Sequence, residues 1–424
     1  TLGGTGSNYF GGLVGYNTSS NITNSTTTGS LNGISKNYLG GVVGYNTANS
    51  DISNTTSSFT ITGIGNYVGG LVGYNTTNSD ITNSSTSGAI NGSSYIGGLV
   101  GQNTGSGATI TGSHSTGAVT GTSYVGGLVG DNSSSAIIDS SYHTTGTVTG
   151  TNYVGGLVGQ NYNSAIIRNN SYVSNTTITG NSGSTAVGGL VGLNSTSASI
   201  ADSYVTGATI SGTNQVGGLT GENSGTVSIS GSYVENSSIV GGRDVGGLVG
   251  GKYNPNLTLA NNYYNIDSIS INGAEHMTLG GIYNKQFGDW KTGNRTALSL
   301  DNYFTKDAND FYLVNASNIE FLPGFVYKTT ADVAKFKLVE DINLSTINHS
   351  DATSEVTDYL TELSLKEFKG TFDGNGKTLS NLNIEQSFNG DIGLFGRVID
   401  ANISNLNISN PTLKGYYNIG TLAG

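Results

Sequence analysis

Few residues in this 424-residue chain are equipped for chemistry. It has no cysteine, 4 His and 27 acidic residues, set among Ser, Thr, Asn and Gly. Two pairs stand out by spacing. Asp51 and Asp80 each precede an Ile and lie 29 residues apart. Stacked on neighbouring turns they would repel and share a cation; a solvated surface pair is the simpler expectation. His114 and His143 keep the same interval. With no third ligand in view, they read as surface histidines rather than a metal site. Asp373-Gly374-Asn375-Gly376 lacks the further carboxylates and offset glutamate of a calcium loop. It reads as a tight turn between two strands. The acids are otherwise scattered, and no large loop interrupts the first part of the chain to build a two-carboxylate cleft. No catalytic, cofactor or metal site is therefore expected.

Composition narrows the classes further. Charged residues are 10% of the chain, net charge is −11, and Lys plus Arg total 16. A nucleic-acid partner needs a basic footprint, which is missing. No apolar run approaches the ~18 residues of a membrane helix, and no signal peptide stands at the start. The lack of cysteine removes disulfides, zinc–thiolate sites and cysteine nucleophiles together. It also suits a polymer threaded unfolded through an outer membrane. The sequence opens and closes inside a repeating pattern, so a segment of a longer protein is expected.

The chain has 67 Gly and only 3 Pro, and the glycines are periodic. Gly-Gly pairs begin at Gly11, Gly40, Gly69, Gly97, Gly126, Gly155, Gly188, Gly217, Gly246 and Gly280. A fixed period of this size marks a solenoid, propeller or array. Two signals keep step: Ile-x-x-Ser (Ile81/Ser84, Ile110/Ser113) and Val/Ile/Leu-x-Gly (Ile61, Val119, Val148). Each period thus holds three short apolar strand candidates separated by turn residues. A propeller blade needs four strands in ~40–50 residues. The fold class expected is all-β, a parallel β-helix with three-strand rungs of ~29 residues. In "YVGGLVGDN" (124–132), Val125 and Leu128 represent the two strictest apolar positions. Three residues apart, they face opposite sides of a straight strand. Both enter a core only if the chain bends, and Gly126-Gly127 is where glycine freedom permits it. Gly130 closes the phrase.

Three polar or aromatic files accompany the glycines. Asn17, Asn46, Asn75, Asn103, Asn132, Asn161, Asn194 and Asn223 are expected to form an axial amide ladder. Tyr9, Tyr38, Tyr67, Tyr95, Tyr124 and Tyr153 form an outward aromatic file that fades to Ala186, Gln215 and Asp244. Stacking alone explains it; as an exposed strip it is also the candidate ligand-contact stripe for sugar rings or a receptor. A further file, Tyr142, Tyr172, Tyr204 and Tyr233, begins where the first ends. The many Asn-x-Ser/Thr sequons follow from composition.

The organisation expected is a first array over 1–285 of about ten rungs, an irregular connector over 286–335 and a second array over 336–424 that runs off the end. The connector carries one short helical turn, signalled by the capping-box spacing Ser317-x-x-Glu320 and stopped at Pro323. Strands are expected at 311–314 and 336–344, and Val356, Tyr359, Leu360 and Leu363 suggest a short helix over 355–366.

The tandem "VGGLVG" phrases, together with "FKLVEDINLS" (336–345), "FKGTFDGNGKTLSNLNI" (368–384) and "IGLFG" (392–396), closely resemble the GLUG-repeat family. The name comes from Gly-Leu-x-Gly phrases such as Gly127-Leu128-Val129-Gly130. The resemblance covers nearly all of the chain. It implies a right-handed β-helix in a large bacterial surface or secreted protein, such as the filamentous-haemagglutinin-like adhesins of two-partner secretion. It also implies adhesion at the cell surface to glycans, proteins or matrix, an outer-membrane secretion partner, and no catalytic residues. Lateral self-association of rods would suit such a stalk. A polysaccharide-acting β-helix enzyme or a phage-tail-like glycan-binding solenoid are the alternatives.

Overall fold

The computed structural model describes residues 8–34, 37–250, 256–273, 278, 280–322, 325, 334–346, 368–385, 393–395, 398–414 and 419–423. Two compact units divide at Asn262/Tyr263. The first is a parallel β-solenoid. A representative rung runs through Ser123–Gly126, Val129–Ser133, Ile137–Asp139, Tyr142–Thr144 and Thr147–Gly150. The three apolar groups of the repeat therefore resolve into five short strands, not three. Each pairs in parallel with its counterparts one rung before and after, as in Val125↔Ile96 and Val125↔Val154. Among the described residues, the sheets through Val125, Val129 and Ile138 hold nine, eight and nine strands.

The additional corners arise from the backbone and explain the Asn-rich composition. The residue before the hydroxyl residue of Ile-x-x-Ser/Thr turns the chain in the left-handed region: Asn24, Asn54, Asn83, Gly112, Ser140 and Asp202 have φ between 47° and 57°. Asn, Asp and Gly tolerate that conformation best. A corner there ends one strand after two or three residues and starts the next.

Val125, Leu128 and Val129 are all fully buried. The first strand ends at Gly126, Gly127 and Leu128 make the bend, and Val129 opens the next strand. The expected bend is present, but the glycines serve it differently from expectation. Neither Gly126 nor Gly127 lies in the left-handed region. A Cβ on Gly126 would collide with the Val129 carbonyl oxygen, and one on Gly127 with that of Gly156 on the next rung. Glycine is needed for close packing of backbone on backbone. The looser Val position is a third core stripe, and its exception is satisfied: buried Thr220 accepts a hydrogen bond from Asn223 Nδ2 at 2.7 Å.

In the second unit, helix α1 (Asn284–Thr292) buries Phe287 and Trp290. The interval 286–335 was expected to hold one helical turn only; the three-residue spacing of Phe287 and Trp290 is the helical signal that expectation passed over. A 3-10 turn does form at Ile319–Phe321, but without the capping box: no side chain caps it, and Ser317 Oγ donates instead to Asn315 Oδ1 at 2.7 Å. Tyr312–Val314, Lys335–Leu338, Thr371–Asp373 and Asn402–Ser404 form a parallel sheet. Ile342–Asn343, Thr378–Ser380 and Asn407–Ser409 form a second. The strands flanking Asp373–Gly376 belong to different sheets, so that loop is a solenoid corner and not a hairpin turn. Phe304, Phe325, Phe336, Phe368, Phe372 and Phe395 fill the core. Residues 355–366 lie outside the described residues.

Candidate functional site

The Asn positions are brought into one buried file. Asn17 Nδ2 donates to Asn46 Oδ1 at 2.8 Å, Asn46 to Asn75 at 2.8 Å and Asn75 to Asn103 at 2.9 Å. Asn103, Asn132 and Asn161 continue it, each donating at 3.0 Å, and Asn194 reaches Asn223 at 3.3 Å. An amide has a donor and an acceptor at opposite ends, so it relays one bond up and one down at rung spacing. These residues face the interior and are closed to ligands. A parallel file of buried hydroxyls was not foreseen: the backbone N–H groups of Ser84, Ser113 and Ser203 donate to the Ser113, Ser141 and Ser232 hydroxyls.

The aromatic edge lies outside. Tyr38, Tyr67, Tyr95, Tyr124 and Tyr153 all sit at φ between 54° and 60°, a rare backbone state for a bulky residue. Their rings stack: Tyr67–Tyr95 and Tyr95–Tyr124 are each 4.8 Å apart and within 6° of parallel. Tyr9 continues the stack at 5.3 Å from Tyr38 and is 37% exposed. A second file, Tyr16, Tyr45 and Tyr74, was missed, although "VGYN" recurs three times in the sequence. Its rings stack at 5.3 and 4.9 Å and meet the first file edge-on, as in Tyr38–Tyr74 at 85°. Burial, then the neighbouring Tyr45, push the Tyr74 phenol up to about 12.

Beyond Tyr74 this second file turns polar, through Gln102 and Asp131. Asp131 is buried and accepts from Gln102 Nε2 at 2.6 Å and from Ser133 Oγ at 2.7 Å. Burial pushes its carboxyl up to about 6, against the two hydrogen bonds.

The last aromatic file differs from expectation. It starts with His114, which stacks on Tyr142 at 4.7 Å, and runs through Tyr172, Tyr204 and Tyr233. It therefore overlaps the rungs of Tyr124 and Tyr153 instead of succeeding them. His143 is no surface histidine. In register with Ser115 and Val173, it points inward and is fully buried. Its Nδ1 lies 2.9 Å from Ser115 Oγ while Nε2 has no partner. Burial drives it down to about 4, so it is neutral at physiological pH. The surface pair Asp51 and Asp80 is tied into a ladder: Asp51 Oδ1 accepts the Asp80 N–H at 3.1 Å, and Asp80 Oδ1 accepts the Thr109 hydroxyl at 2.6 Å. Among the described residues no group of three or more His, Cys, Asp or Glu is placed to hold a metal, and no helix is long and apolar enough to cross a membrane.

Residues 6–32, 36–62, 64–91, 92–120 and 183–211 match a family model described as the GLUG motif. The rungs between the fourth and fifth matches keep the same register, for example Val125↔Val154 and Asn132↔Asn161. A 125-residue stretch, 29% of the chain, is 33% identical to Halomucin of Haloquadratum walsbyi, and the matched part is 1% of that protein's length.

Proposed function

Because this chain is built on GLUG-motif repeats, we propose that it is a structural and adhesive stalk segment of a large exported surface protein. It extends outward from the cell and makes many weak contacts along its aromatic edge. The observation that carries the reading is the uninterrupted stack from Tyr9 to Tyr153 on the outside of a rigid solenoid. Stacked rings at rung spacing offer the same contact at regular intervals, which is the geometry multivalent binding exploits. The resemblance to part of Halomucin supports a place in a very large protein. The partners are surface glycans, proteins or matrix, with an outer-membrane secretion partner during export and lateral association between rods. The chain performs no catalysis of its own.

Beads carrying many copies of the chain test this directly. Retention on cells, matrix or immobilised glycans is expected to rise steeply with copies per bead, and Tyr95→Ser/Tyr124→Ser to weaken it. Beads that fail to bind at any density would leave only the scaffold role.

A further inference from the structure

The three aromatic files end in different ways. The Tyr16 file stops at Tyr74 and is continued by Gln102, which is tied to Asp131. The Tyr9 file stops at Tyr153, followed on the next rung by buried Ala186. The third begins at His114, and there the stack opens onto a cavity. One face of the His114 ring lies on Tyr142, 5° from parallel. The other face is turned toward Ser85, its in-register partner on the preceding rung. Ser85 is followed along the file by Thr56 and Thr26. None of these side chains is long enough to cover an imidazole face. The result is a cavity of about 160 Å³ lined by Thr26, Thr56, Ser85, Ser87, Thr116 and His114.

We propose that this cavity is a saccharide subsite that takes one pyranose ring in the place of the missing aromatic. Stacked rings in this file repeat at 4.7–4.9 Å. A sugar ring lying flat on His114 continues that spacing, with its C–H face against the imidazole. Around its rim, a sugar presents hydroxyls that both donate and accept, and Ser and Thr hydroxyls do the same. Ser57 and Thr86 line the floor with their hydroxyls turned into the core, while Thr26, Thr56, Ser58, Ser85, Ser87 and Thr116 supply hydroxyl-bearing walls, and no lining residue carries a permanent charge. That favours a neutral sugar over an anion or an apolar side chain. Burial holds His114 below its ordinary value, which favours the neutral ring as a stacking face. Thr56 Oγ1 already donates to Thr26 Oγ1 at 3.1 Å, which fixes that wall. The subsite deepens the adhesive reading and rests on it for its biological setting, because a single shallow site gives useful affinity only when many copies act together.

The test uses the 424-residue chain, with the His114 ring resonances followed by NMR. The probes are the methyl pyranosides of glucose, galactose, mannose and N-acetylglucosamine, and N-acetyltyrosinamide as an aromatic competitor. At least one pyranoside is expected to shift His114 saturably, with a dissociation constant on the order of 1–10 mM, and to leave His143 unmoved. Ser85→Tyr fills the cavity by extending the stack and is expected to abolish the shift while the fold holds. His114→Ala removes the platform and is expected to abolish binding measured by ligand-observed NMR. No saturable shift with any pyranoside, or one that persists in Ser85→Tyr, overturns the subsite. A shift with N-acetyltyrosinamide alone overturns it in favour of an aromatic side chain of a peptide. Bead adhesion with no saturable pyranoside shift at His114 sinks the subsite but leaves the adhesive reading standing. Pyranoside binding without bead adhesion does the reverse.

Discussion

The rings of Tyr95 and Tyr124 lie 4.8 Å apart and 6° from parallel, on backbones held at φ 59° and 55°. An aromatic residue in the left-handed region bears strain of about 1–2 kcal/mol, and stacking on both sides offsets it at about 0.5–1.5 kcal/mol per pair. Tyr124→Phe keeps the ring and is expected to change stability by less than ~0.5 kcal/mol. Tyr124→Asn tolerates the backbone but loses both stacks, at ~1–3 kcal/mol. Tyr124→Val loses the stacks and adds β-branched strain, so it should be the worst of the three. Urea denaturation of the three variants gives the order; Val milder than Asn would break the link between strain and stacking.

Asn132 both accepts from Asn103 and donates to Asn161. Asn132→Ala strands a buried acceptor on Asn161 and weakens a donor on Asn103, at a cost of ~2–4 kcal/mol. A solenoid rung contacts mainly its neighbours. Hydrogen exchange should therefore accelerate in the adjoining rungs first, with protection near Ile22 and Val227 little changed.

Asp131 titrates near 6 because it is buried. A carboxyl whose folded value is raised holds its proton longer in the folded state. Stability then falls as pH rises from the ordinary carboxylate range to about 6, and levels off above it. Asp131→Asn should remove that slope and gain up to ~3 kcal/mol at pH 7. A variant no more stable than the parent at pH 7 would show that the carboxylate is not a burden there.

His143 works in the opposite direction. Its folded value is lowered to about 4, so the unfolded chain binds the proton first and stability falls as pH drops from about 6.5 to 4. His143→Val places there the residue found at Val173 and Val205 on the next rungs. It should abolish acid sensitivity in that window. Because the two slopes oppose each other, the parent chain should be nearly flat between pH 4 and 6, Asp131→Asn acid-labile, and the double variant flat again. Thermal melts across that range distinguish the four proteins.

The solenoid was legible from glycine spacing because backbone-on-backbone contact tolerates no other residue: Gly127 meets the Gly156 carbonyl, and the requirement recurs each rung. The extra corners were hidden because Asn83, Gly112 and Ser140 look like interchangeable turn residues until their shared left-handed φ is seen. His143 was misread for a related reason. Inside and outside alternate along a short strand, so a shift of one residue from His114 reverses its face. Sequence spacing brings the two histidines onto neighbouring rungs without revealing that one faces inward. The aromatic edge was half legible: the Tyr9 file was apparent, while Tyr16, Tyr45 and Tyr74 lay within the repeat phrase itself. The open end at His114 depends on what is missing at Ser85, which no motif announces.

Immunogold electron microscopy of intact cells that make the protein, with an antibody raised against this chain, tests the central claim most directly. A surface stalk requires gold outside the envelope, displaced outward from it, with cell or glycan attachment blocked by the same antibody. Gold confined to the cell interior, or surface label whose antibody leaves attachment unchanged, would contradict an adhesive stalk.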